Sequence, residues 1–235
     1  MIKGIYQAGT TMRTQMKDLE VVANNLANIN STGYKRELPF AEILSRTGNP
    51  NIKQLTDFRE GVAVVTGNPF DFSINGKGFF VLQTEDGIRL TRNGKFALTE
   101  DGYLVNEKGS KVLGQKGPVN LSDLLFDKSK TVSVTSDGEI KIGDKYIDKI
   151  MVAKIDRQEN LSRTQDQQFA YENDNYEIAD DNDYAISQGY IEESNVNPIE
   201  EMQSMIQLNR DFETTQKMIQ TFDSYLGKVI ESGKV

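Results

Sequence analysis

The sequence predicts an α+β protein in which two long helices, one at each end of the chain, bracket a central antiparallel β domain. Two observations support this fold class. Apolar residues recur every seven positions near both termini, as in helices that pack side by side. Between them, alternating apolar and polar residues are interrupted by glycine-containing turns, which is typical of hairpins. We expect an N-terminal core helix at 1–30, an extended connector at 31–70, a β-rich domain at 71–187 and a C-terminal core helix at 188–235.

The N-terminal segment places its apolar residues at two helix positions that lie three residues apart, the seam of a coiled coil. Seven of the eight residues at these positions are apolar. We expect Gly33 to end the helix, with Ser31 and Thr32 in the turn. One position holds Ile5, Met12, Leu19 and Leu26, and the other holds Ala8, Gln15, Val22 and Ile29.

The C-terminal segment repeats this design and has a recognisable start. Asn197 is a helix cap, Pro198 suits the first turn, and Glu200 completes the capping box. Seven of the eight seam positions are again apolar. Neither helix can bury its seam alone, so the helices must cover each other, the β domain or other copies of the chain. The seam consists of Met205, Phe212, Ile219 and Leu226 at one position and Leu208, Thr215, Phe222 and Val229 at the other.

Turn residues divide the central region into strands. The segment 71–84 alternates around two glycines, and the turn at 85–87 leads into a strand at 88–92. Asn93 and Gly94 form the strongest two-residue hairpin signal because both accept positive φ, so residues 95–99 should pair back onto that strand. After a turn at 100–102, further strands are predicted at 103–107, 111–113, 131–134, 139–142 and 146–155.

The composition excludes several classes of protein. The chain has no Cys and no His, which excludes disulfides, thiolate metal sites and triads that need imidazole or thiol. No apolar run approaches the ~18 residues of a membrane span, and the N-terminus lacks the apolar core of a cleavable signal peptide. The net charge is -8, but the window 164–209 holds eleven acids and no Lys or Arg. The chain lacks the basic stripe that is typical of nucleic-acid-binding proteins.

Two short motifs could suggest ligand sites, but neither has the required spacing. The run Asn-Gly-Lys-Gly at 75–78 lacks the ending of a phosphate-binding loop and predicts a turn between strands. The run Asp-Asp-Asn-Asp at 180–183 lacks the glycine and glutamate of a calcium loop, because the sixth residue from Asp180 is Ala185 and the twelfth is Ile191. We therefore predict no enzyme activity, no metal and no cofactor.

Three separated blocks resemble the bacterial flagellar rod and hook proteins. The stretch ANNLANINSTGYKR at 23–36 is similar to the N-terminal signature of that family, and the resemblance extends through the first 28 residues. Residues 71–114 resemble the start of its central β domain, and residues 189–219 resemble its closing signature. The blocks occur in the family's order.

The resemblance implies a structural subunit of the flagellar basal-body rod. Its terminal helices would pack as a coiled coil in the core of a tube that crosses the periplasm and transmits torque. The implied partners are other copies, other rod proteins and the flagellar type III export apparatus, with peptidoglycan nearby and no nucleic acid. Residues 195–202 and 210–213 look closer to the proximal rod protein than to the distal rod protein, which is the alternative.

Four asparagines within eight residues are unusual near a helix end, since Asn is a poor helix former. Asn24 and Asn28 share one helix face, and Asn25 lies beside them. Amide groups both donate and accept hydrogen bonds, so we expect them to join neighbouring helices in the tube. The predicted assembly residues are Ile5, Met12, Leu19, Val22, Asn24, Asn25, Leu26, Asn28, Gly33 and Tyr34 in the first helix region, and Asn195, Asn197, Pro198, Met205, Leu208, Phe212, Ile219, Phe222 and Leu226 in the last.

Both ends are expected to be disordered in the free subunit, because two uncovered seams bury too little apolar surface to offset an ordering entropy of about 1–2 kcal/mol per residue. Two other functions stay open. The β domain could bind cell-wall glycan, with the helices serving only to dimerise the chain. The chain has no Trp, however, on which a sugar ring could stack. A carboxylate-dependent hydrolase is the more distant alternative.

Overall fold

The computed structural model describes residues 2–48, 55–126, 131–155, 161–164, 166–171 and 176–232. Its helices are α1 (Ile2–Ala27), α2 (Phe40–Thr47), α3 (Asp123–Phe126) and α4 (Pro198–Ser232). Its strands are β1 (Ala63–Val65), β2 (Phe72–Gly76), β3 (Phe79–Thr84), β4 (Gly87–Thr91), β5 (Ala97–Leu98), β6 (Leu104–Val105), β7 (Lys111–Gly114), β8 (Gly117–Pro118), β9 (Val132–Val134), β10 (Glu139–Ile142), β11 (Lys145–Lys149), β12 (Val152–Lys154), β13 (Leu161–Arg163), β14 (Phe169–Tyr171), β15 (Glu177–Ile178), β16 (Tyr184–Gln188) and β17 (Tyr190–Glu192).

The chain divides into two compact units. The helical unit consists of Met1–Ile29, Arg36–Asp57 and Val196–Val235. The β unit consists of Asn30–Lys35 and Phe58–Asn195. An N-terminal helix, a central antiparallel β region and a C-terminal helix are therefore present, and the predicted α+β class is confirmed at this level.

Helices α1 and α4 pack on each other in the helical unit and run antiparallel. Gly4 lies against the ring of Phe222 near one end of the pair, and Asn25 donates a hydrogen bond to Glu201 near the other. Helix α1 ends at Ala27, six residues before Gly33. Gly33 instead adopts a left-handed φ of 67° in the turn that follows. The expected helix stop was therefore placed too late.

The segment predicted to be an extended connector contains helix α2. Its buried residue is Ile43, and Gly48 closes it in the left-handed conformation, donating its N–H to the Leu44 carbonyl. Pro39 offers no side-chain cap at the start. The carboxylate of Asp18 on α1 supplies it instead, accepting the Phe40 N–H at 2.6 Å. The local sequence did not predict α2 because the carboxylate that caps its first turn belongs to Asp18, which lies far upstream in the chain.

Strand β3 is the centre of the β unit. It pairs with β4 on one side and with β7 and β12 on the other, and all of these pairings are antiparallel. Phe80 and Leu82 enter the larger apolar core, while Phe79 and Val81 enter a smaller one. The main path of the sheet is β13-β14-β4-β3-β7-β6-β5, with β12, β15 and β8 attached beside it.

The predicted hairpin at Asn93 and Gly94 is wrong. Strand β4 pairs with β3 and β14, and residues 94–96 lie beside residues 70–72, where the Phe72 N–H donates to the Gly94 carbonyl. Gly94 does not have a positive φ. A Cβ there would collide with the backbone carbonyl of Phe72. This glycine therefore allows a close approach of two segments rather than a special turn conformation.

Other turn predictions are confirmed. Glu85 and Asp86 join β3 to β4 in a two-residue hairpin, and residues 100–102 lie in the turn between β5 and β6. The polar stretch 164–187 contributes β14, β15 and most of β16. Strand β16 pairs with β2 along its whole length and places Tyr184 and Ile186 in the larger core.

The C-terminal segment is not helical from residue 188, because β17 comes first and pairs with β1. Helix α4 begins at Pro198, as the capping motif predicted. The Asn197 side chain accepts the Ile199 N–H at 3.1 Å and donates to Glu200 at 3.0 Å. Gly233 and the side chain of Val229 lie outside the described residues.

Candidate assembly interface

The antiparallel pair covers only a narrow stripe of α1. The residues buried along this helix are Ala8, Asp18, Val22 and Asn25. The predicted apolar column, which comprises Ile5, Met12, Leu19 and Leu26, lies at the edge of the stripe and is only half-buried. A single partner helix therefore leaves part of each of these side chains exposed.

Helix α4 is covered even less. Among its described side chains only Glu201 is buried. The predicted seam residues are all half-buried on one helix face, namely Met205, Leu208, Phe212, Thr215, Ile219, Phe222 and Leu226.

A second apolar stripe on α4 is mostly exposed to solvent. Ile199, Met202 and Ile206 are 66%, 51% and 54% exposed. Their spacing of three and four residues places them on one face of the first two turns. We call these three residues the α4 stripe.

The contacts of Asn25 explain why one of the clustered asparagines is present. It is fully buried, and its amide forms two hydrogen bonds with the backbone of Glu37, at 2.8 Å and 2.9 Å. Its Nδ2 also donates to Glu201 at 3.2 Å. Asn24 is exposed, and Asn28 donates to the Asn24 carbonyl one turn back at 2.8 Å. The predicted role of Asn24 and Asn28 between subunits stays a prediction.

A buried ionic cluster continues from Asn25 in the helical unit. The Arg36 guanidinium donates to Glu201 through Nε and to Glu42 through Nη1 at 2.9 Å. Burial alone would lower the pKa of Arg36, but its hydrogen bonds to Glu201 and Glu42 outweigh burial, so the pKa is raised. Burial raises the pKa of Asp18, opposed by hydrogen bonds from the α2 backbone.

A second ionic cluster lies inside the β unit. Lys35 is fully buried and contacts Glu192 at 2.5 Å and the Arg59 carbonyl at 2.8 Å. The other carboxylate oxygen of Glu192 lies 3.4 Å from Arg92. Burial lowers the pKa of Lys35, and the Glu192 carboxylate opposes this effect. The cluster ties the end of the N-terminal signature to β17.

The other predicted residues near the signatures also make contacts within the chain. The Gly33 N–H donates to the Glu192 carbonyl at 2.7 Å, and Tyr34 is buried under Arg163, whose guanidinium carbon lies 4.3 Å from the ring centre. Asn195 donates to the Arg59 carbonyl at 2.9 Å. These contacts hold the first and last signatures together in the β unit.

Sequence reasoning missed the buried charges. Lys35, Arg36, Glu192 and Glu201 read as ordinary surface residues, since charged side chains are rarely buried unless paired. The only available hint was their position, because each stands inside a block that resembles the flagellar family.

Three family models match separate parts of the chain. Flagella basal body rod protein matches residues 5–35, Flagellar hook protein FlgE/F/G D1 domain matches residues 73–142, and Flagellar basal body rod FlgEFG protein C-terminal matches residues 187–232. The helical ends and the β region therefore define a structural protein of the flagellar rod and hook class.

Relatives extend this match over almost the whole chain. The flagellar basal-body rod protein FlgF of Rhizobium meliloti is 30% identical, covering 99% of this chain and 98% of its own length. FlgF of Caulobacter vibrioides is 31% identical, covering 93% of each, and FlgG of Bacillus subtilis is 27% identical, covering 98% of each. The chain belongs to the flagellar basal-body rod protein family, and its place is the basal-body rod.

Other kinds of site find no support among the described residues. No described helix is long and apolar enough to cross a membrane, and within the same ranges no group of three or more acidic side chains could hold a metal ion. In the acidic run, Asp181 pairs with Lys149 at 2.5 Å and Asp183 pairs with Lys154 at 2.7 Å. These carboxylates contribute to ion pairs within the β unit.

Proposed function

We propose that this chain is a proximal-rod subunit that polymerises with copies of itself and with other rod proteins into the axial tube that crosses the periplasm and transmits torque. In the tube, α1 and α4 pack against the same helices of neighbouring subunits as a coiled-coil-like core. The proximal assignment is supported by the relatives named FlgF and by residues 195–202. Distal rod is the alternative.

The observation that carries this proposal is the apolar surface that the helix pair leaves uncovered. The predicted seam residues of α4 are half-buried, and the α4 stripe is more than half exposed. Burying a large apolar side chain completely contributes about 1.5–3 kcal/mol. Covering the α4 stripe alone would therefore contribute about 3–5 kcal/mol, a driving force that becomes available only when a neighbour docks.

Ordering of the ends and assembly are coupled in this mechanism. Until a neighbour covers the remaining apolar surface, the helix pair gains too little burial to hold its ends rigid. Addition at the growing tip supplies that surface. A contact that joins different patches of successive subunits generates an open helical tube when its rotation does not close into a ring.

Four further points from the sequence belong to the same proposal. We propose that the chain has no catalytic role, that it leaves the cytoplasm through the flagellar type III apparatus and that it lies near peptidoglycan in the rod. We also propose the division into parts 1–30, 31–70, 71–187 and 188–235 as its organisation in the tube, with the helix of the last part beginning at Pro198.

Introducing negative charge into the α4 stripe tests the proposal. A variant carrying Met202→Glu and Ile206→Glu should lose at least tenfold of its incorporation into isolated basal bodies, because each carboxylate would have to be desolvated at the interface. The stability of the purified chain should change by only about 0.5 kcal/mol, because both side chains are exposed.

The matched control carries Gln203→Glu and Asn209→Glu, two exposed positions on the same helix. It adds the same charge and should assemble normally. Subunit released into the medium is measured in parallel, which separates failed assembly from failed export. A stripe variant that incorporates and supports motility like the wild type would refute the proposed interface, and immunogold labelling of basal bodies would decide between proximal and distal rod.

A further inference from the structure

Strand β1 lies at the edge of a two-stranded sheet in the β unit, where β17 is its neighbour among the described strands. The hydrogen bonds at both ends of the strand show which way its backbone groups point. The Val62 carbonyl accepts the Glu193 N–H at 2.9 Å, and the Thr66 N–H donates to the Gly189 carbonyl at 2.8 Å. Backbone direction alternates along an antiparallel ladder, so Val64 also bonds toward β17.

Ala63 and Val65 therefore point their backbone groups away from β17. Among the described residues, neither has a hydrogen-bond partner for its outward N–H and C=O groups. The side chains of this strand are open as well, since Val62 and Val65 are 68% and 67% exposed. These two valines lie on opposite faces of β1 because side chains alternate. We call residues 61–67 the open edge.

Other strands of the β unit show how an edge is protected from pairing. The outer edge of β9 is covered by Gln188, whose Oε1 accepts the Val134 N–H at 3.0 Å and whose Nε2 donates to the Val132 carbonyl at 3.2 Å. Strand β11 carries Lys145 and Lys149, and β8 contains a proline. Charge, proline and a covered edge are common means by which proteins prevent association between edge strands.

The open edge lacks all of these protections. Residues 61–67 include no charged residue and no proline. An exposed, uncharged and apolar edge strand is a place where another extended strand can add to the sheet. A helix cannot satisfy this row of groups, because its own backbone groups are already bonded internally. The partner that fits the open edge is therefore a β-strand.

A second copy of the open edge provides such a strand. If two copies run antiparallel about a two-fold axis at Val64, Ala63 of each copy lies opposite Val65 of the other. Every outward N–H and C=O group of these residues then has a partner. Sliding one copy by two residues would bring Gly61 or Gly67 into the pairing instead, and the N–H groups of both glycines already have acceptors within the chain.

The side chains agree with this register. On one face Ala63 meets Val65, a small residue beside a larger one, and on the other face Val62 meets Thr66, which is also β-branched. The absence of charge in 61–67 means that no like charges face each other across the pair. The two-stranded sheets of two copies would join into one four-stranded sheet, and sheets of three or more strands are more stable than isolated pairs.

We propose that free subunits of this chain associate as a two-fold dimer through the open edge of β1. The contact spans residues 62–66 of each copy, fewer than the ~20–30 residues that each side of a standard interface contributes. The dimer is therefore weak, and it dissociates on dilution. Because a two-fold contact uses the same patch on both copies and closes on itself, it is separate from the tube contacts proposed for α1 and α4.

Hydrogen exchange of the purified full chain, measured at micromolar and at millimolar concentration, tests this directly. Sedimentation velocity should show a dimer at the higher concentration, where exchange at the Ala63 and Val65 amides should slow by about tenfold. The Val64 amide, which bonds toward β17 in the single chain, is the internal control and should change little. A dimer that leaves the Ala63 and Val65 amides as exposed as in dilute solution would overturn the proposal.

Val65→Lys places a charge on the open edge and should weaken dimerisation by about tenfold, because that charge would have to be desolvated against the second copy. Ile178→Lys is the matched control, since Ile178 is 61% exposed on β15, and it should dimerise like the wild type. If Val65→Lys does not fold, Val62→Lys tests the same edge. Equal dimerisation of the edge variant and the control would refute the open edge as the interface.

The variant carrying Met202→Glu and Ile206→Glu distinguishes this dimer from association through the α4 stripe. It should dimerise like the wild type, and a loss of the dimer would show that the helices hold it, which would overturn the proposal. A chain that stays monomeric at millimolar concentration, yet binds a capped strand-forming peptide of unrelated sequence, would have a different occupant and would overturn it too. Either result would leave the proposed role of the helices in the rod untouched.

Discussion

At the scale of single residues, the helical unit depends on polar groups that are buried together. Asn25 binds the backbone of Glu37 and the carboxylate of Glu201, which also binds Arg36. Three chain segments thus meet at one carboxylate. A buried ion pair adds little net stability compared with apolar packing, but removing one partner is costly because the other is left buried and unpaired.

Glu201→Gln is therefore expected to destabilise the helical unit by about 3 kcal/mol, since Arg36 would lose the carboxylate against which it is buried. Urea unfolding followed by far-UV circular dichroism measures this loss. Glu213→Gln is the matched control, because Glu213 is exposed on the same helix and its change should cost less than about 0.5 kcal/mol. Equal effects of the two changes would contradict the structural role of the cluster.

At the scale of elements, the glycines of the β unit serve two different physical purposes. Gly87, which follows the β3–β4 turn, adopts a φ of 109°, but an added Cβ would meet open space. At Gly94 an added Cβ would collide with the Phe72 carbonyl and approach the ring of Phe80 at 3.0 Å. At Gly87 the backbone conformation disfavours any residue with a side chain. At Gly94 the lack of space for a Cβ does so.

This difference predicts unequal effects of the same substitution. Gly87→Ala should cost about 1–2 kcal/mol from the left-handed conformation. Gly94→Ala should cost about 3 kcal/mol, because the segments 70–72 and 94–96 must move apart. Thermal unfolding monitored by calorimetry compares the two variants. A Gly94→Ala protein at least as stable as Gly87→Ala would show that the close approach is unimportant.

At the scale of the whole molecule, the two ends of the chain belong to one compact unit and the middle to another. The ends carry the uncovered apolar surface, whereas the β unit has continuous apolar cores on both faces of β3. Local stability follows the number of buried apolar contacts. The two units are therefore expected to differ in how readily they open.

Hydrogen exchange on the purified chain should reveal this difference. Amides at 5–29 and 199–229 should exchange rapidly in the free subunit and become protected in isolated rods, because neighbours then cover the helices. Amides of β3, which is central and buried, serve as an internal control and should be protected in both states. Strong protection of the terminal segments in a monomer would contradict folding coupled to assembly.

The sequence by itself determined the fold class, the cap at Asn197, most of the strands and the family. Each of these depends on local patterns: seven-residue periodicity, turn residues and signature blocks. Only the tertiary structure decided which asparagine is buried, why Gly94 is a glycine, that Asp18 caps α2 and that Lys35 and Arg36 are enclosed by carboxylates. Except for the Arg36–Glu42 pair, these contacts join residues from 12 to 176 positions apart, and local periodicity carries no information about such distant partners.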